Sequence, residues 1–241
     1  MKVFKFLLLR RTVVYFLIVF SLFLTSCSRK LKTDKSKFDP CRSFLFECKE
    51  GKQIVEIYSS RGKMVLELDS NLAPLTVSNF LDLVNRGVYN ETTFHRLIKE
   101  PFPFIIQGGD PSSKREEILI SKIGLGNFVD PQNGKSRLIP LEIMLKKEDK
   151  PRYNKLIKNP NEIKNIYLKH ERGSIAMARR ESLNSASSQF YISLKRLHVL
   201  DGRYSVFGKI IDGIEILDLL KKNDRINKIV HIKDNDIFLI N

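Results

Sequence analysis

Arg96 and Gln107 are the two side chains of this sequence whose types and setting best suit chemistry. Arg96 closes the triplet Phe94-His95-Arg96, and Gln107 opens Gln107-Gly108-Gly109-Asp110. The runs Thr93 to Ile98 and Phe104 to Gln107 alternate as strands do and are separated by Pro101 and Pro103, so the segment reads as an antiparallel hairpin. The alternation is expected to put Phe94 and Arg96 on one face of the first strand, while on the second Phe104 and Ile106 alternate with Ile105 and Gln107. A glutamine amide oxygen can hold a guanidinium without cancelling its charge, whereas a carboxylate would neutralise it. A lone arginine on an edge strand is usually just solvated. Here the Gly-Gly turn beside it allows close backbone approach and favours a functional cleft.

The flanking segments supply the elements that must position this pair. Gln53 to Ser59 and Lys63 to Leu68 are strand-like runs about Arg61-Gly62, which predicts a hairpin. Pro74, followed by Val77, Phe80, Leu81 and Val84 and ending before Gly87, spells an amphipathic helix with Pro in its first turn. Gly173 to Arg179, Gln189 to Ser193 and Ser205 to Ile211 return to strand character. Arg180 to Ser188 is a small-residue loop with backbone groups free to bond an extended peptide. A second helix is expected over Gly213 to Leu220 and a last strand within Val230 to Ile240. Strands of this length with two helices suggest a closed antiparallel barrel capped at both ends.

The four blocks Phe94-His95-Arg96, Gln107-Gly108-Gly109-Asp110, Ser188-Gln189-Phe190-Tyr191-Ile192 and Val206-Phe207-Gly208-Lys209 resemble, in order, the signature of the cyclophilin-type peptidyl-prolyl isomerases. The resemblance implies a mainly β fold: a closed eight-stranded antiparallel barrel capped by two α-helices, spanning 53–241, with a long loop and helical insertion at about 112–171. That insertion holds Gly124, Gly126 and Asn133-Gly134 as loop signals, a lysine-rich stretch around Pro151 and Pro160, and a short helical run from Asn161 to His170. Partner docking and occlusion of the cleft are readings of it; a solvated surface elaboration is the simpler one.

The same resemblance implies a reaction. Rotation about a peptide bond faces a barrier of about 18–20 kcal/mol because the nitrogen lone pair is delocalised into the carbonyl. A catalyst of that rotation requires no nucleophile, metal or cofactor, only an apolar grip on the proline ring and a cationic donor for the nitrogen as the bond twists. Arg96 matches the family's catalytic arginine, with Gln107 holding it. The proline pocket falls on Phe104, Ile105, Tyr191 and Leu200; His95 and Gln189 match binding-surface positions; Ala178 and Arg179 match the stretch that bonds the residue before proline. Tyr204 replaces a pocket histidine. Val199 replaces the tryptophan of cyclosporin-sensitive members, which implies weak cyclosporin binding. The partners implied are proline-containing polypeptides, and the alternative to an enzyme is a peptide-binding module that has lost useful turnover.

The chain of 241 residues has 42% hydrophobic content, enough for one domain with a proper core and extra segments. Its formal charge of +15 would suit nucleic acid, but the basic residues do not cluster with aromatics, and no nucleic-acid partner is expected. A single copy is expected. Lys2, Lys5, Arg10 and Arg11, then the apolar run Thr12 to Phe23, then Leu24-Thr25-Ser26-Cys27 make an export signal over 1–26 that resembles a bacterial lipobox. Cys27 is then the expected lipidation site and a membrane anchor, with an uncleaved anchor or ordinary cleavage nearby as alternatives. Ser28 gives outer-membrane placement only where the enteric sorting rule applies. Residues 27–52 form the tether region, polar from Ser28 to Lys37. Cys41 and Cys48 either pair, which is worth roughly 2–3 kcal/mol, or remain two buried thiols. The four histidines are dispersed without ligand spacing, so no metal site is expected.

Overall fold

The structure is a computed structural model and describes residues 39–44, 46–114 and 122–233. The export signal, Cys27, the polar tether and residues 234–241 lie outside the described residues, and no described helix is long and apolar enough to cross a membrane.

Strands β1 (Lys52–Ser59) and β2 (Gly62–Asp69) form the first hairpin, with Ser59 opposite Gly62. Val55, Ile57, Met64, Leu66 and Leu68 point inward, while Glu56, Lys63 and Glu67 form ion pairs on the outside. This is the period of two that one dry and one wet face impose. The remaining strands are β3 (Thr92–Thr93), β4 (Arg96–Ile98), β5 (Ile105–Gly108), β6 (Val129–Asp130), β7 (Lys135–Ser136), β8 (Glu142–Ile143), β9 (Arg152–Tyr153), β10 (Ser174–Met177), β11 (Phe190–Ser193), β12 (Val206–Asp212) and β13 (Arg225–Ile232). The helices are α1 (Pro74–Asn85), α2 (Pro160–Lys164) and the single turn α3 (Ile216–Leu219).

The main sheet is antiparallel and curled, with nine strands in the order β3-β13-β1-β2-β12-β10-β11-β5-β4. The mainly β antiparallel architecture is the expected one, with nine paired strands in place of eight and β3 and β4 at the two ends of the order. Those ends, β3 and β4, are successive parts of one extended run separated only by Phe94 and His95. Thr92 and Thr93 pair with β13, and Phe94 still exchanges backbone bonds with Asp224 and Asn223 at 2.8 Å; from Arg96 onward the partner is β5. This change of partner also rotates the side chains. Phe94 is buried in the core and Arg96 is exposed, so the two do not share a face as the alternation predicted.

Helix α1 matches its prediction and packs Phe80 against Tyr89, Phe207 and Phe190 at centroid distances of 4.9, 5.2 and 5.6 Å. The second predicted helix shrinks to α3, and the insertion's helix stops at Lys164. The last strand begins at Arg225, earlier than predicted, because β13 pairs with β1 from Ile54 to Ser59 and with β3 at Arg225 and Ile226. Cys41 and Cys48 form a disulfide with a Cα–Cα distance of 5.3 Å, and Cys41 is buried against the core.

The insertion is not merely a solvated elaboration. Leu141, Ile143, Leu145, Ile157 and Ile166 form a small core of their own. Its backbone then grips two loops of the main domain: Leu141 N–H donates to Leu183 (2.7 Å), Ile139 N–H to Ala186 (2.8 Å) and Ile157 N–H to Gly202 (3.0 Å). Gly202 has φ +78°, and a Cβ there would lie 2.3 Å from the Ile157 carbonyl oxygen, so only glycine fits.

The insertion also completes α1. Ala73 at the start of that helix offers no capping side chain; the buried carboxylate of Glu142 accepts instead from Leu75 N–H (3.1 Å), Thr76 N–H (2.8 Å) and Tyr153 O–H (2.8 Å). Burial pushes the Glu142 carboxyl above its ordinary value, against the pull of those donors. Glu142→Ala is expected to cost about 2–3 kcal/mol, from a lost cap and donors left bare inside the protein. Urea denaturation checks this: an unchanged midpoint would show that α1 holds its first turn without Glu142.

Candidate active site

The strands β4, β5, β11 and β10 have apolar side chains on both faces. Leu97, Ile106, Phe190, Ile192, Ile175 and Met177 face the main core. Ile98, Ile105, Tyr191 and Ala176 face outward and carry a second apolar cluster, roofed by Phe104, Leu197, Leu200 and Tyr204. Phe104, Ile105, Tyr191 and Leu200, any of which could have been ordinary core, thus gather in one patch outside the barrel interior.

Strand register places Arg96 at the rim of that patch. Arg96 pairs with Gln107, Gln107 with Tyr191 and Tyr191 with Ala176, in one row across β4, β5, β11 and β10. The Arg96 guanidinium is exposed and donates from Nη1 to Gln107 Oε1 at 3.3 Å. Gln107 Nε2 in turn donates to Gln189 Oε1 at 2.9 Å, and Gln189 Nε2 donates to the carbonyls of Gly124 (3.1 Å) and Gly126 (2.7 Å). The arginine is therefore oriented by a chain of neutral amides. Among the described residues no carboxylate forms an ion pair with it.

The far end of this chain is anchored by Asp110, fully buried, which accepts from Gly124 N–H (2.5 Å), Gly126 N–H (3.1 Å) and Ser112 N–H (2.8 Å). In the sequence Asp110 reads only as the end of a glycine turn. The Gly124-x-Gly126 spacing, two glycines whose amides could converge on one carboxylate, was the signal available. Gly126 has no room for a side chain, since a Cβ there would meet Asp110 Oδ1 at 2.1 Å.

A second buried network sits beneath the apolar patch. Tyr191 hydroxyl meets His170 Nε2 at 2.8 Å, His170 Nδ1 meets Asp201 Oδ1 at 2.9 Å, and Asp201 also accepts from the His170 amide (3.0 Å) and from Arg196. Burial alone would raise the Asp201 carboxyl; bonds from His170 and Arg196 outweigh it and hold the carboxyl well below its ordinary range. Burial pushes the Tyr191 phenol well above its usual value, so it remains a neutral hydroxyl. Neither His170 nor Asp201 was singled out from sequence, where nothing ties positions 31 apart.

The other predicted residues fall around this frame. Tyr204 packs edge-on to Tyr191 (5.6 Å), and the Arg179 guanidinium stacks over the Tyr204 ring at 4.9 Å while donating to the carbonyls of Arg203, Arg180 and Glu181. Ala178 and Arg179, with Gln107, Gln189 and Gly124, line a small cleft of about 70 Å³ beside the row. His95 is set apart from them: its ring lies against Gly124, close enough that a Cβ there would be 3.3 Å from it, and burial lowers its pKa.

An exposed, permanently cationic donor beside an apolar patch can stabilise charge that appears on a neutral bound group without being consumed. Over residues 54–237 the sequence matches the family described as cyclophilin type peptidyl-prolyl cis-trans isomerase/CLD. It is 34% identical over 202 residues to a putative thylakoid lumen peptidyl-prolyl cis-trans isomerase of Synechocystis, covering 77% of this chain and 49% of that protein, so the chain spans about half the length of that relative. It is also 34% identical over 176 residues to a peptidyl-prolyl cis-trans isomerase of Helicobacter pylori, covering 72% of this chain and 83% of the other. A crystal structure of a Cryptosporidium parvum cyclophilin type isomerase with the dipeptide Ala-Pro aligns with a TM-score of 0.56 at 31% identity, over 76% of this chain and all of that one. The sheet order, the outward apolar patch and these matches agree, and the chain belongs to the cyclophilin-type peptidyl-prolyl cis-trans isomerase family.

Proposed function

We propose that this protein is a peptidyl-prolyl cis-trans isomerase that speeds X-Pro rotation in exported polypeptides. The carrying observation is Arg96, exposed at the rim of the apolar patch and held by the neutral Gln107. The proline ring rests on Phe104, Ile105, Tyr191, Leu200 and Tyr204. The residue before proline runs along Ala178 and Arg179, with Gln189 at its side and His95 supporting the cleft from below. As the amide loses planarity, its nitrogen regains a lone pair and becomes a better acceptor, so a bond from Arg96 strengthens in the twisted state more than in either planar one. The guanidinium keeps its proton throughout. Uncatalysed X-Pro exchange takes tens to hundreds of seconds, slow enough to limit folding. Exchange spectroscopy on a short Ala-Pro peptide tests the proposal: cis and trans signals should exchange on addition of protein. Peptide binding without faster exchange would favour a binding module instead.

Export into an oxidising compartment is supported by the Cys41–Cys48 disulfide, since such bonds are rare where thiols are kept reduced. The relative of thylakoid-lumen name is compatible with it. The lipobox-like Leu24-Thr25-Ser26-Cys27 supports anchoring through an acylated Cys27, and Ser28, where the enteric sorting rule applies, places that anchor on the outer membrane's periplasmic side. The native protein should then partition into the detergent phase on Triton X-114 separation. Cys27→Ala should move it to the aqueous phase, and unchanged partitioning would count against the anchor.

A further inference from the structure

The loop joining β4 to β5 holds Phe102 between Pro101 and Pro103, and the side chain is 67% exposed. Across from it Val199, on the turn His198–Leu200, is also 67% exposed. Between them lies a groove of about 420 Å³, walled by Ile98, Phe104 and Leu197. That volume is in the range of sites that take small organic groups. Two large apolar side chains held open across an apolar groove are an uncompensated exposure of the kind that marks binding surfaces.

The groove is continuous with the proposed site. Phe104, Ile98 and Leu197 belong both to it and to the outward apolar cluster. Ile98 stands two residues along β4 from Arg96 on the same face, so the groove opens about 7 Å from the arginine at a strand's rise per residue. The cleft lined by Ala178 and Gln189 lies at the opposite end of these strands, toward Gly124. Lys195 places its ammonium 5.1 Å from the Phe102 ring centroid, and the Arg196 guanidinium is occupied by Asp201 and Glu171. The wall thus offers hydrocarbon rather than an anion site.

We propose that this groove is a subsite for a bulky apolar side chain, aromatic or branched aliphatic, on the first or second residue after the client's proline. The inference rests on the isomerase function proposed above, which seats the preceding residue along Ala178 and Arg179. An extended chain advances about 3.3–3.6 Å per residue, so one or two residues past the proline reach Phe102 and Val199.

The test pairs two readouts on peptides that differ only in containing Phe or Ala after proline. Titration should show the Phe peptide binding about 10-fold or more tightly, as expected for an apolar side chain entering an apolar pocket. That preference should fall to near unity in Phe102→Ala and in Val199→Ala, both exposed positions whose truncation leaves no cavity. Equal affinities in the parent protein, or a preference that survives both substitutions, would overturn the subsite. Self-association that Phe102→Ala abolishes would assign the groove to a second copy and overturn it equally. Exchange spectroscopy on the same samples reads the isomerase function separately: binding preference without exchange would remove the enzyme and leave the subsite.

Discussion

Arg96→Ala is expected to lower kcat/KM for a proline peptide about 10²- to 10³-fold, the range found when one preorganised donor to a developing charge is removed. Its unfolding midpoint should barely move, because the side chain is exposed and, among the described residues, bonded only to Gln107. The loss should fall mainly on kcat, since a planar prolyl nitrogen is a poor acceptor and offers Arg96 little in the ground state. Gln107→Glu tests the same point from the other side. A carboxylate there would pair with the guanidinium, and it would also face Gln189 Oε1 with no proton to donate. Both variants should keep near-wild-type peptide affinity. Turnover equal to wild type in Arg96→Ala would remove this side chain from the mechanism.

Asp201→Ala is expected to cost about 3 kcal/mol or more of stability, the usual effect of deleting one partner of a buried charged network. It would strip His170 Nδ1 of its carboxylate partner and leave Arg196, among the described residues, with Glu171 and the His170 carbonyl. Because the folded-state carboxyl sits below the ordinary 3.8, the unfolded chain takes up the proton first as acid is added. Asp201 therefore stabilises the fold at pH values above about 4, and that contribution fades as pH falls further. Urea midpoints followed from pH 7 to pH 3 should decline more for wild type than for Asp201→Ala. Parallel curves would mean that another group governs the acid response. The variant should bind proline peptides less well too, since Leu200 precedes Asp201 and Tyr191 hangs from His170.

Local patterns were legible where local forces decide. The β1–β2 hairpin and α1 lie where alternation and the Pro74 start placed them, because each buries a face that its own sequence defines. The change of pairing partner at Phe94 and His95 was not legible, because it depends on Asn223 and Asp224 far along the chain. Nor was the cap on α1, which comes from a residue 66 positions after Thr76. Arg96 and Gln107 could be paired from hairpin register alone. Phe104, Ile105, Tyr191 and Leu200 could not be told from core, since an outward apolar face on a strand looks like an inward one until its cover is known. His170 and Asp201 were missed because no sequence spacing encodes their contact, whereas Asp110 had only the Gly124-x-Gly126 spacing to announce it.

Glu142 completes a helix whose first residues leave the ribosome long before it does. The amides of Leu75 and Thr76 must therefore stay hydrated until the insertion has been made and threaded back. Splicing out 115–170 to obtain a minimal enzyme should then show first as lost stability rather than as lost turnover: the segment is a keystone, and trimming it removes the residue that closes the first turn of the helix following the β1–β2 hairpin.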